Sequence, residues 1–196
     1  MATASSSTKT PDWDALYATA EAQSGHFTVS QAEACGYSPQ LLQKHLARER
    51  IERVRRGIYR LSHFPSTENE ELIALWLWSD QQGVFSHETS LALHDLSDVL
   101  PRAVHMTVPE AWRKRRLRLP DGLVLHYKDL TEQSRTWLEA VPLTTPLQAL
   151  AECIDAHVAP ELIEQALRQA RRRGLILSKE AARLSKRRKD AHKKPS

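Results

Sequence analysis

Gln40, Gln43 and Lys44 fall on one side of a helical wheel, with Leu41, Leu42 and Leu46 on the other. Amides that protrude together from a helix can read adenine edges in a DNA major groove, and a lysine beside them can reach guanine or phosphate. Directly after this stretch comes IERVRRGIYRL, Ile51 to Leu61, whose Arg53, Arg55, Arg56 and Arg60 suit phosphate or minor-groove contact. Seven basic residues stand against two acidic ones between Pro39 and Leu61. A second run, Arg113, Lys114, Arg115, Arg116 and Arg118, would fit an anionic protein or RNA surface, and reads equally well as a solvated loop. Basic runs are commonly solvated faces. The first run differs in falling on two consecutive elements of the kind that face DNA.

Signals for other chemistry are thinner. His87, His94, His105, His126 and His157 invite a metal site, but no pair has the i, i+4 spacing of H-E-x-x-H and no carboxylate set accompanies them. They read as half-buried or surface histidines, and no metal ligands are expected. Ser86-His87 pairs a nucleophile with a base, yet adjacent side chains rarely aim at each other, and a helix cap accounts for Ser86. Pro120-Asp121 followed by His126-Tyr127-Lys128 has the outline of a restriction-type nuclease core. That core needs an acidic residue where His126 stands, and a D-G turn accounts for Asp121. No GxGxxG or GxxxxGK[ST] loop occurs. No cofactor and no catalytic residues are therefore expected.

The elements that would carry the basic face are locally marked. Thr10-Pro11 starts a helix to Gln23 whose stripe is Trp13, Leu16, Tyr17 and Ala20. Thr28 and Gln31 make a T-x-x-Q capping box for a short second helix, ended by Gly36. Ser38-Pro39 caps and opens the third. Two helices joined by a Gly-containing turn describe a helix-turn-helix. A hairpin turning at Arg56-Gly57 makes the wing, with Arg55 opposite Ile58, Val54 opposite Tyr59 and Arg53 opposite Arg60. This register puts Val54 and Tyr59 on one face and Arg53, Arg55 and Arg60 on the other. The polar, proline-containing SHFPSTEN places a domain boundary between residues 62 and 68.

The remainder reads as a mixed domain. Glu70 to Ser79 is a helix, and Ser86 caps another to about Leu96, with Leu91 and Leu93 among its apolar positions. Arg102 to Pro109 alternates as a strand, and Leu117 to Tyr127 reads as a hairpin turning at Asp121-Gly122. A strand near Val141 leads into a Thr145-Pro146 helix running to about His157. Pro160 opens a helix closed by Gly174, and Ser178 caps a last one that dissolves into KRRKDAHKK.

The expected fold class is α+β. A disordered N-terminus spans residues 1–9, a winged helix-turn-helix 10–62, a mixed α/β domain 68–177 and a basic C-terminal tail 178–196. The chain has 196 residues with 41% hydrophobic and 27% charged, which excludes disorder along its whole length. Residues 171–196 carry a net +9, leaving the rest at −5. Cys35 and Cys153 exclude a disulfide scaffold and fit a reducing cytoplasm. No signal peptide and no membrane-spanning run are present in the sequence, so no membrane partner is expected.

Three stretches together resemble one family. GHFTVSQAEACGYSPQLLQKHLARERIERVRRGIYRL is similar to the winged helix of AbiEi-family antitoxins. FSHETSLALHDLSDVLPRAVHMTVP resembles that family's Ser-His helix and following strand, with Leu91 where the family has a small residue. VPLTTPLQALAECID resembles its strand, Thr-Pro and helix. The resemblance implies a type IV bacterial toxin–antitoxin system of the phage-defence kind. Its winged helix represses its own operon by binding promoter DNA with repeats. Its second domain counteracts an AbiEii-type nucleotidyltransferase toxin without necessarily binding it stably, and some relatives alter the toxin covalently. The expected function is thus a non-enzymatic antitoxin and autorepressor in the cytoplasm. Two alternatives stand beside it: a stand-alone transcriptional regulator with a ligand-sensing or dimerisation domain, and an enzyme that acts as a nuclease or modifies the toxin.

Overall fold

The computed structural model describes residues 10–191. The chain divides into two compact units, with the boundary between Gln81 and Gln82. The fold is α+β, as the sequence implies. The expectation of disorder at residues 1–9 lies outside the described residues.

In the first unit, helix α1 (Trp13–Glu21) is capped by Asp12, whose carboxylate accepts from the Ala15 N–H. Thr10 and Pro11 thus stand before the helix instead of opening it. Leu16 and Ala20 are buried, while Tyr17 of the expected stripe is 43% exposed. Strand β1 (His26–Thr28) runs into α2 (Val29–Ala34) through the expected capping box, with both the Thr28 and Gln31 side chains engaged. Ser38 caps α3 (Pro39–Ala47) by accepting from the Leu41 N–H. Strands β2 (Ile51–Arg55) and β3 (Ile58–Leu61) form the wing, and the sheet order is β1-β3-β2, all antiparallel. Leu16, Phe27, Leu42, Ile51 and Leu61 are among the core of this unit.

The hairpin register differs from the expected one. Glu52 lies opposite Arg60 and Arg53 opposite Tyr59; then the ladder shifts so that Arg55 faces Ile58. Val54 is the extra residue of a bulge. A bulge reverses the alternation beyond it, so simple period-two counting misplaces the side chains. Arg53 therefore shares a face with Tyr59, and Arg60 with Glu52.

Helix α4 (Glu70–Trp78) belongs to the first unit, not to the second domain as the boundary at 62–68 implied. Ile73 to Leu77 are all buried, and a helix apolar on every side must be covered on every side.

The second unit holds a five-stranded sheet of order β6-β5-β4-β8-β7. Strand β4 (Val84–Phe85) leads into α5 (His87–Leu93), and β5 (Val104–Val108) pairs antiparallel with β4. A 3-10 turn spans Glu110–Lys114 with Trp112 buried. β6 (Leu123–Tyr127) pairs parallel with β5, so the expected hairpin over 117–127 is absent and Asp121-Gly122 turns the chain into a single strand. β7 (Arg135–Leu138) and β8 (Val141–Thr144) make an antiparallel pair, of which only the second strand was expected. α6 (Pro146–Asp155) is capped by Thr145, as expected, and α7 (Pro160–Arg172) starts at its proline.

α8 (Ser178–Ala191) is the final helix. Ala181 and Leu184 are buried in one cluster with Leu91, Leu150, Cys153 and Ile163. Arg187 grips Asp155 through two nitrogens at 2.9 and 2.5 Å, and Arg188 reaches Glu164 at 3.3 Å. The basic stretch through residue 190 is thus a packed helix instead of a tail, because an apolar pair one turn apart ties it to α6 and α7.

Candidate functional site

The exposed face of α3 carries Gln40, Gln43 and Lys44, all solvent-facing, as the wheel implied. The helix is held from both sides. Its cap fixes the N-terminal turn, and Leu42 is buried in the core. His45, half-buried, stacks on Trp13 with ring centroids 5.4 Å apart and meets Tyr37 edge-on at 5.5 Å. Burial and the neighbouring Arg50 and Arg48 push the His45 pKa down, which keeps the imidazole neutral inside this aromatic cluster.

The wing arginines separate into two kinds. Arg53 and Arg56 are exposed on β2 and at the turn, where Gly57 takes φ +77°. Arg55 is half-buried and reaches Glu71 of α4 at 3.3 Å. Arg60 is only 5% exposed. It bonds Glu52 at 2.9 Å and Glu70 at 3.0 Å, and donates to the Phe64 carbonyl at 2.6 Å. A guanidinium so enclosed offers nothing to a phosphate. Arg60 is a structural residue, contrary to its expected place on the DNA face. Its carboxylate partner Glu70 lies on α4, beyond the expected domain boundary, which is why hairpin alternation could not reveal it.

The second basic run is exposed. Arg113 pairs with Glu110 at 2.6 Å and lies 5.1 Å from the Tyr127 ring centroid. Arg115 stacks 4.3 Å over Trp112. Both are thereby oriented by local partners, and Lys114, Arg116 and Arg118 complete the patch.

The second unit also brings together residues that sequence spacing did not connect. His87 starts α5, His105 lies on β5 and His126 on β6. Because β5 and β6 run parallel with Thr107 opposite His126, His105 and His126 project from one face, one pleat apart. His105 Nδ1 lies 2.9 Å from His126 Nε2, and the His87 and His126 rings stack at 3.6 Å. Burial, reinforced by the neighbouring imidazoles, lowers the pKa of His87 to about 3 and that of His126 to about 4. Burial also lowers that of His105, against the pull of Glu88. All three rings are therefore neutral at physiological pH.

Around this cluster, Ser86 stands at the N-cap position but makes no cap bond. Its hydroxyl accepts from Thr107 Oγ1 at 2.8 Å and lies 3.0 Å from His87 Nδ1, so the adjacent pair does meet, with Ser86 buried and His87 half-buried. Glu152 is buried on α6 and accepts from Gln148 at 2.8 Å, the His87 backbone N–H at 3.2 Å and Thr144 at 3.3 Å. Burial raises its pKa despite these donors. A cleft of about 450 Å³ opens here, lined among others by His87, His126, Arg113, Lys128 and Glu152.

No helix among the described residues is long and apolar enough to cross a membrane. No curated protein matches the chain. Its fold is similar to the crystal structure of the RV2827C protein from Mycobacterium tuberculosis, with a TM-score of 0.50 and 14% identity over 90% of this chain and 72% of that one. At that identity the likeness is one of fold. The winged helix is matched more specifically: residues 14–62, from the first turn of α1 to the end of β3, fit the sequence model of the family described as transcriptional regulator, AbiEi antitoxin.

Proposed function

We propose that this protein is the antitoxin of a bacterial toxin–antitoxin system and represses its own operon by placing α3 in the major groove of promoter repeats. The observation that carries the reading is the joint exposure of Gln40, Gln43 and Lys44 on a helix capped by Ser38, followed at once by a wing that exposes Arg53 and Arg56. The two glutamines would read base edges, and Lys44 a base or phosphate. Arg53 and Arg56 would supply the sequence-independent part, with Arg55 contributing only on leaving Glu71. The second unit would counteract a nucleotidyltransferase toxin. The basic run Arg113 to Arg118 is its proposed contact with the toxin or the toxin's RNA, and the protein would act in the cytoplasm without catalysing a reaction.

The test is a gel-shift titration of the full chain on the DNA upstream of its own gene against scrambled DNA. Gln40→Ala and Gln43→Ala should each lose about 1–3 kcal/mol of discrimination while non-specific binding stays. Full specificity in both variants would remove α3 as the reading helix. Co-expression with the product of the adjacent gene, from an unrelated promoter, tests the antitoxin role: growth rescue supports it, and continued arrest with soluble protein present refutes it.

A further inference from the structure

We propose that His87, His105 and His126 form a binding site for one divalent transition-metal ion of the zinc class, with a fourth coordination position open to the adjoining cleft. This inference is independent of the DNA-binding reading, which rests on the other unit.

The geometry comes first. One nitrogen from each of the three rings lies within 4.8 Å of the others. Two imidazoles on a tetrahedral zinc, with bonds of about 2.0–2.1 Å, put their nitrogens roughly 3.3 Å apart. His105 Nδ1 and His126 Nε2 are already at 2.9 Å. Two nitrogens this close share a single proton, and a cation in its place would engage both lone pairs. The His87 ring stacks on His126 at 3.6 Å and would turn out of that stack to aim its Nε2 at the same ion.

Two of the three outer nitrogens, those of His105 and His87, have the partners that metal-bound histidines usually have. A ligating imidazole turns its other nitrogen to a carboxylate, carbonyl or hydroxyl, which fixes the ring and its tautomer. His105 Nε2 faces Glu88 at 3.5 Å. His87 Nδ1 meets Ser86 Oγ at 3.0 Å and faces Glu152 at 3.9 Å. Imidazole binds a metal as a neutral ligand, so three of them leave the ion's charge to be balanced by the nearby carboxylates or by an anion.

The backbone points the same way. His87 takes φ +54° at the first position of α5, a left-handed conformation that is costly for a side chain of this kind. It is held there by the bond from its N–H to buried Glu152. Such conformations gather at ligand sites, because the surrounding structure has to enforce them. The open position faces a cleft that also holds Arg113 and Lys128, so an anionic ligand would complete the coordination sphere.

The experiment uses the full chain without a polyhistidine tag, stripped with chelator and titrated calorimetrically with Zn²⁺. The expected result is one ion per chain with a dissociation constant in the micromolar range or tighter, and with Co²⁺ the visible absorption of a four-coordinate ion. His105→Gln and His126→Gln should each weaken binding by at least about a hundredfold, and Glu88→Gln by about 10–100-fold. His63→Gln, at an exposed position in the other unit, should bind as the parent does. Circular dichroism checks the fold of each variant. Should a ligand variant not fold, the imidazole nitrogen resonances of the unaltered protein decide: three should move on adding Zn²⁺. Parent-like binding in the folded ligand variants, no binding at 100 µM Zn²⁺, or unmoved resonances would overturn the proposal, leaving a hydrogen-bonded histidine stack.

Discussion

The guanidinium of Arg60 and the carboxylate of Glu70 lie 3.0 Å apart and join the wing strand β3 to helix α4. The arginine is nearly enclosed, whereas Glu52 on its other side is half open to solvent. Removing the cation leaves one partly buried carboxylate and the Phe64 carbonyl without their donor. Arg60→Ala should therefore cost about 2–3 kcal/mol of stability, below the cost for a fully buried pair. The salt dependence of DNA binding should not change. Arg53→Ala and Arg56→Ala should do the reverse: each flattens the slope of log K against log salt by roughly 0.9 with no shift in the urea midpoint. Urea melts and binding at several salt concentrations read both.

Gly25 takes φ +86°, and a Cβ built there would meet Cβ, Cγ and Cδ1 of Phe64 at 2.7 to 2.8 Å. Two penalties therefore combine in Gly25→Ala, the left-handed backbone and the displaced ring. A loss of about 2–4 kcal/mol is expected from chemical denaturation. Gly57→Ala, at φ +77° with open space around it, should cost only the backbone part, about 1 kcal/mol.

His26 should make the first unit acid-sensitive. Its Nδ1 lies 3.0 Å from the Ser24 carbonyl, and its Nε2 is buried without a hydrogen-bond partner. Protonation would put a donor where nothing accepts it. Burial lowers its pKa below 6.5; Arg60 opposes the charge, and Glu70 and the backbone bonds to Ser24 and Gln23 favour it. With the folded value depressed, the unfolded chain binds the extra proton first. Stability is therefore complete above about pH 6.5 and falls as the pH drops below it, with a limiting slope of about 1.4 kcal/mol per pH unit per proton. Urea midpoints between pH 4 and 7 should show this slope. His26→Gln should flatten it, and an unchanged slope would place the acid sensitivity elsewhere.

The last helix should respond to its core residues and not to its charge. Leu184→Ala should cost about 2–4 kcal/mol by leaving a cavity against α6 and α7. Lys186→Glu and Lys189→Glu, both exposed, should leave the thermal midpoint within a degree or two. Truncation after Gly174 would strip Ile176, Ala181 and Leu184 from the core, so it tests folding and not electrostatics.

What could be read from the sequence was what neighbours in the chain decide. Thr28 with Gln31, Ser38 with Pro39 and Thr145 with Pro146 mark helix starts within four residues, and all three hold. The α+β class followed from these starts and the alternating Val104–Val108. The exposed face of α3 was legible for the same reason, since a wheel needs only one helix. The wing register was lost to a single extra residue, Val54. The burial of Arg60 depends on Glu70, and the meeting of His87, His105 and His126 depends on the parallel pairing of β5 with β6. Parallel pairing leaves no turn signal, because the partners are joined by a crossover and not a hairpin.

The bulge at Val54 has a further effect, on what the wing refuses. β2 is an edge strand, and an edge with evenly spaced donors and acceptors is a template on which another chain can crystallise as a further strand. One residue out of step breaks that spacing at the fourth of the strand's five residues, and the exposed Arg53 and Arg56 would repel a second copy of the same edge. The irregularity that misled pattern counting would thus guard the protein against sticking to itself, at the strand which a nucleic-acid contact would require to stay bare.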